Sequence, residues 1–315
     1  MVEERCELEK QFDFGEYPLI SIHKTINNTT VSASYSRDAV NRSGNVYIFD
    51  NMMQVSFNEE LSSASFHMDY LPQHDTAVMK LADGKIALLH TADHTLTYEK
   101  VDNKGVMITD VAYRPDDMNV GVFTDAKGRV TTFDRTSGDV LHVETAHCLY
   151  GMEVSAWCCH FFDENTFLTG GDDCVMKVHD LRTNSVVLTS EVYHGGIVRV
   201  RDYPSPFSVM IGAYDSQLRL LDTRNINTVQ RSIPLEGDPW DFKIHDDDYI
   251  SVAAMYGGWY ILNGDFSVRV HQVQREKLIY GVERYKRNNT IESVVTSSFN
   301  DGVVSLYELC VVHDN

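Results

Sequence analysis

No stretch of this 315-residue chain approaches the roughly 20 consecutive apolar residues that a membrane-spanning helix needs, so no membrane contact is expected. Proline is sparse, seven in all, and no tract is low in complexity. With 43% hydrophobic residues the chain can bury a large core, which sets it apart from disordered sequences. Basic residues are the scarcer charge: 27 Lys and Arg against 46 Asp and Glu leave a net charge of −19. Nucleic-acid binding needs the opposite balance, because lysine and arginine neutralise phosphates, and no nucleic-acid partner is expected. The acidic surplus suits a basic or cationic partner, or else only keeps the surface soluble. The six cysteines (Cys6, Cys148, Cys158, Cys159, Cys174, Cys310) contain no C-x-x-C pair and no histidine at zinc-site spacing. No metal and no cofactor are expected. The opening MVEERCELEK lacks the apolar stretch of a signal peptide, so the expectation is a cytoplasmic protein with reduced thiols.

What is present is repetition. FLTGGDDCVMKVHDLRTN, Phe167–Asn184, is echoed by VMIGAYDSQLRLLDTRNI, Val209–Ile226. Each has an apolar run, a turn of glycine and acid, an alternating run and then Asp-x-Arg. Aligning the chain on the residue that closes each alternating run gives Asp50, Glu99, Asp134, Asp180, Asp222, Asn263 and Glu308. The steps are 49, 35, 46, 42, 41 and 45 residues. A period near 40 to 45 is that of four-stranded propeller blades. Turn signals such as GGDD at Gly170, GAYDS at Gly212 and FNDG at Phe299 precede the runs. The segments between alternate at period two and are rich in Val, Ile, Thr, Tyr and Phe. Since one sheet cannot bury both its faces but a ring of sheets can, seven units predict an all-β, seven-bladed β-propeller. It is expected as one domain over residues 1–315, with a strand from about residues 5–25 closing the last blade.

The Asp-x-Arg endings and the GGDD…HD pattern resemble WD-repeat propellers over nearly the whole chain, with Phe49, Phe133, His179 or Leu221 where the usual tryptophan stands. From Glu153 to Asn263 the likeness is more particular. MEVSAWCCHF (Met152–Phe161), LLDTRN (Leu220–Asn225), GDPWDFKIH (Gly237–His245) and MYGGWYIL (Met255–Leu262) resemble segments of the diphthine methyltransferase family, as does LIYG (Leu278–Gly281). The chain departs from the family in HGGIV, where Ile197 stands in place of a glycine. The resemblance implies a methylesterase, despite the family's name. Its partner would be elongation factor 2, on which a histidine is built into diphthamide. A methyl-ester intermediate would be hydrolysed to diphthine and methanol, permitting the final amidation. A monomer is expected.

Ester hydrolysis needs an activated water or nucleophile, a proton carrier and stabilisation of the oxyanion. The serine-esterase marker G-x-S-x-G is absent. The candidate catalytic residues are Glu153, His194 and Asp238, each with a structural alternative. Glu153 matches an acid in the family segment but also suits a solvated loop. His194, before two glycines, is either a proton carrier or the loop histidine that bonds the turn acid Asp215. Asp238 precedes Pro239 and Trp240 in a loop, and Asp110 holds an analogous place in blade 3. The candidate substrate-binding residues are Trp157, Trp240 and Tyr280, at or near the start of the innermost strands of blades 4, 6 and 7. Ring faces there can hold the trimethylammonium group of diphthine, at about 0.5 to 2 kcal/mol each, or can simply pack between blades. Trp259, Cys158 and Cys159 read as core. The competing reading of the whole chain is a non-catalytic interaction scaffold, since the fold alone does not give function.

Overall fold

The computed structural model describes residues 3–36, 41–190, 192–286 and 291–312. Among these residues the regular structure is strand, apart from one 3-10 turn at Pro72–His74. The strands make seven four-stranded sheets, six of them meanders in chain order. They cover residues 19–60, 65–98, 108–145, 156–190, 197–234 and 241–272 as blades 1 to 6. Blade 7 joins Ile279–Lys286, Ile291–Ser298 and Val303–Val312 to an outermost strand, Glu3–Asp13, from the other end of the chain. The chain is the seven-bladed β-propeller that the repeat predicts. It divides into two compact units, one of residues 1–78, 89–95 and 241–315, the other of 79–88 and 96–240.

Blade 4 shows how the repeat folds. Its strands are Ala156–Phe161, Thr166–Gly171, Met176–Asp180 and Ser185–Ser190. Between the first two, the Asp163 carboxylate accepts the backbone N–H groups of Asn165 and Thr166, both at 2.7 Å. Between the next two, Cys174 takes the left-handed conformation at φ 61°, as a tight hairpin requires. The recurring Asp-x-Arg is a local clamp. Asp180 accepts the Arg182 backbone N–H at 2.9 Å and its guanidinium at 3.0 and 2.6 Å. Asp222 holds Arg224 in the same way. The middle strands are buried, and the fourth is exposed over Ser185–Thr189, which is why its alternation is weak. In the second unit, Cys158, Leu168, Val178, Val200 and Ile211 share one apolar cluster.

One marker of the repeat moves. In blade 2 the third strand is Ile86–His90, and Glu99 follows the fourth strand, Thr95–Tyr98. His90 therefore stands in the register of the closing acids, and the uneven steps of 49 and 35 become 40 and 44. Alternation continues through both strands of that hairpin, so alternation alone could not tell one from the other.

The innermost strands share a less visible repeat. In blades 1, 3, 4, 5 and 7 the register slips after the first residue, between Leu19/Ser21, Ile108/Asp110, Ala156/Cys158, Ile197/Arg199 and Ile279/Gly281. The extra residue of each bulge is Ile20, Thr109, Trp157, Val198 or Tyr280. A bulge re-aims the side chain it carries and is common at rims and sites. Trp240 directly precedes the first strand of blade 6, Asp241–Ile244, and follows Pro239, which has no N–H to give a ladder.

A second position accompanies the bulge. The residue that opens each turn toward the third strand donates its N–H to the chain just before the innermost strand. Asp172 bonds Ser155 O, Tyr214 bonds Gly196 O, and Phe299 bonds Leu278 O. Each of these blades thus pairs a bulge residue with a turn residue, and what occupies the pair sets the local chemistry.

Candidate functional site

In blade 4 the pair is Trp157 and Asp172, and the doubled acid of GGDD separates into two roles. Asp173 is tied inward. Its Oδ1 is hydrogen-bonded to His147 Nδ1 at 2.8 Å, and His147 Nε2 to Thr169 Oγ1 at 2.8 Å. Thr169 continues to His179 Nε2 at 2.9 Å, and His179 Nδ1 to Glu144 at 2.8 Å. His147 is 0% exposed in its side chain. Burial pushes Asp173 up, but the His147 and Val175 hydrogen bonds outweigh it and hold the carboxyl below the ordinary range. That network fixes the turn and leaves Asp172 facing elsewhere.

Asp172 Oδ1 accepts the indole N–H of Trp157 in a short hydrogen bond. Its Oδ2 makes no hydrogen bond among the described residues. Burial raises the Asp172 pKa, and the neighbouring Asp173 charge adds to the rise, while the Trp157 bond partly opposes it. A half-buried carboxylate with one oxygen anchored and a raised pKa is suited to taking a proton.

Trp157 meets Trp240 edge to face, with centroids 6.2 Å apart and planes at 69°. Trp240 in turn stacks on Tyr214, at 6.2 Å and 28°. Trp240 is only 5% exposed, whereas Trp157 and Tyr214 are half-buried. Trp240 is therefore the support, and Trp157 and Tyr214 present the accessible ring surface. The glycines of HGGIV make this approach possible. A Cβ on Gly195 would lie 2.3 Å from the Tyr214 backbone, and one on Gly196 would lie 2.9 Å from Asp172 Oδ1 and 3.3 Å from the Tyr214 ring. Ile197 is buried in the apolar cluster behind them, so the departure from the family pattern is absorbed by the core.

The other candidates have different duties. His194 is exposed, and its backbone N–H, not its ring, donates to Asp215 Oδ2 at 3.2 Å. Asp215 is held by the Arg219 guanidinium at 2.9 and 2.6 Å. Burial pushes Asp215 up, but Arg219 and the His194 N–H hold it below the ordinary range. The loop histidine that bonds a turn acid through its ring is His147, one blade earlier. Asp238 Oδ1 accepts both the N–H and the hydroxyl of Ser216 at 2.9 Å, bracing the blade 5 turn. Glu153 is exposed on a small hairpin. Tyr280 belongs to the other unit, where it stacks on Phe299 at 4.9 Å and 17°; this is blade 7's own bulge-and-turn pair. Asp110 is buried between Lys80 at 3.3 Å and Arg199 at 3.7 Å. Burial pushes the Cys158 thiol up, which suits a core residue. No group of three His, Cys, Asp or Glu side chains among the described residues is placed to hold a metal ion. No helix there is long and apolar enough to cross a membrane.

Asp172 and Tyr214 are the residues that the sequence did not single out. A signal existed, because a tight turn needs one acid and GGDD supplies two.

The fold and this cluster define a seven-bladed β-propeller with an aromatic and carboxylate cluster built from the turns of blades 4 and 5 and from Trp240. Its sequence relatives include proteins named diphthine methyltransferase. The fission yeast (Schizosaccharomyces pombe) protein of that name is 26% identical over 265 residues, 75% of this chain and 76% of that protein. The mouse (Mus musculus) protein is 27% identical over 152 residues, 41% of this chain and 32% of that protein. The Saccharomyces cerevisiae protein is 29% identical over 168 residues, 43% of each. The match thus spans less than half the length of the mouse and budding yeast relatives. No protein-family model matches the chain.

Proposed function

We propose that this protein is a cytoplasmic, monomeric methylesterase. In this reading it hydrolyses the methyl ester of methylated diphthine on elongation factor 2, releasing diphthine and methanol. The observation that carries the reading is the contact of Trp157 with both Asp172 and Trp240, in a chain related to diphthine methyltransferases. The substrate side chain bears a trimethylammonium group beside its ester. The faces of Trp157 and Tyr214 attract that cation through their ring quadrupoles, and the adjacent carboxylate adds charge complementarity. Trp240 fixes the angle of both rings from below.

With the cation seated, the ester carbonyl lies next to the carboxylate. Asp172, through Oδ2, takes a proton from water as the water oxygen bonds the carbonyl carbon. The tetrahedral intermediate collapses, the bond to the methoxy oxygen breaks, and the proton is returned to the leaving oxygen as methanol departs. In this reading Asp172 takes the water-activating role for which Glu153 and Asp238 were candidates, since Asp238 braces Ser216 and Glu153 stands out in solvent. The test is methanol release from elongation factor 2 carrying methylated diphthine, across Asp172→Asn, His194→Ala, Glu153→Ala and Asp238→Ala. Asp172→Asn is expected to lower kcat by about 10²-fold or more, and the other three by less. An untouched ester with folded protein would remove the reading, and so would methyl transfer in its place.

A second reading, the non-catalytic scaffold, is favoured by the exposed apolar outer strand of blade 3, where Val140, Leu141 and Val143 each stand more than half exposed. It expects a stable protein complex and no methanol.

A further inference from the structure

We propose that the hairpin Cys148–Leu149/Met152–Glu153 is a docking arm for the protein whose side chain enters the site, with Tyr150 as its anchor. The inference rests on the esterase reading and goes beyond it, because it assigns the protein partner a contact surface. The hairpin is the only two-stranded sheet among the described residues, and it interrupts the connection that leads from blade 3 into the strand bearing Trp157.

Both feet of the hairpin are fixed to the turn that carries the site. The N–H groups of Ala146 and His147 donate to Gly128 O at 2.9 and 3.0 Å, and the His147 ring bonds Asp173. On the returning side, Ser155 O accepts the Asp172 N–H at 2.9 Å. Whatever rests on the hairpin is therefore held in register with Asp172.

The tip is built to touch something outside the chain. Leu149, Tyr150 and Met152 are 40%, 93% and 63% exposed. Tyr150 and Gly151 both adopt the left-handed region, at φ 52° and 78°. Asn-Gly is the favoured pair for such a turn, and a bulky side chain at its first position is conformationally unfavourable. Tyr150 makes no hydrogen bond or ring contact among the described residues. A large ring held outward at a conformational cost, with no internal partner, is a feature of protein-binding surfaces, where tyrosine is enriched. The acids around the site and the net charge of −19 favour a cationic protein surface over an anionic membrane.

Two substitutions test the arm in the whole 315-residue chain. Tyr150→Gly suits the left-handed turn and removes only the ring, and Tyr150→Asp removes the ring and opposes an apolar contact. With methylated elongation factor 2 as substrate, both are expected to raise KM about 10-fold or more, with kcat within about twofold of the parent and no loss of thermal stability for Tyr150→Gly. Direct binding of the same protein should weaken in parallel. An unchanged KM and affinity would overturn the docking arm, as would a fall in kcat alone, which would make the hairpin a support for the site. If Tyr150→Gly only dissolved a dimer in sedimentation, the occupant would be a second copy and the proposal would fall. A parent protein that released no methanol would instead overturn the esterase reading, while the binding comparison would still decide the role of Tyr150.

Discussion

Asp172 and Trp157 share one hydrogen bond, and that bond makes the behaviour of each predictable from the other. The indole N–H lowers the Asp172 pKa against the larger effect of burial. Trp157→Phe keeps a ring for the cation but removes the donor, so the Asp172 pKa should climb further. In the proposed hydrolysis Asp172 is the base, so activity is lost as pH falls through its pKa. The acid limb of kcat/KM should lie above the ordinary aspartate value of about 3.9 and move to higher pH in Trp157→Phe. An acid limb unmoved by that substitution would separate Asp172 from the proton transfer. Gly196→Ala probes the same contact from the other side, because its methyl would press on Asp172 Oδ1 and the Tyr214 ring. It should cost about 1–3 kcal/mol of stability, read from denaturant unfolding, and reduce turnover as well.

The hairpins of blade 4 draw their precision from a buried polar chain running from Asp173 through His147 and Thr169 to His179 and Glu144. Burial depresses the His179 pKa, with Glu144 partly opposing. The unfolded chain therefore takes up a proton at that histidine first as pH falls below about 6.5. Stability from this group is present above that pH and is lost as pH drops toward the lower folded value. His179→Phe, beside Phe167, should flatten that part of the stability-against-pH curve, and an unchanged slope would assign it to other groups. These elements also show what could be read beforehand. Period-two alternation and turn acids are local properties, so seven blades were visible in the sequence. The bulge that aims Trp157 and Tyr280 was visible only as two aromatics at strand starts. Nothing local distinguishes Asp172 from Asp173, because only the approach of His147 from 26 residues away commits one of them. The burial of Trp240 under Trp157 and Tyr214 depends on contacts between blades, which no single repeat encodes.

The chain's two ends meet in one sheet, where Glu3–Asp13 runs antiparallel to Val303–Val312. Deleting residues 1–13 would bare the edge of that strand, and exposed edges invite aggregation. The truncated protein should unfold at a lower temperature and precipitate earlier than the parent, as read by calorimetry and light scattering; equal transitions would mean the strand adds little. The site lies far along the chain from this closure, so remaining soluble molecules should keep the acid limb of the parent. The central proposal is hydrolysis at the Trp157–Asp172 cluster. The most direct measurement is methanol released from elongation factor 2 bearing methylated diphthine, with the parent chain and Asp172→Asn side by side. The prediction is one methanol per ester with the parent and a rate at least about a hundredfold lower with the variant. Equal release by both, or none by either while both are folded, would contradict it.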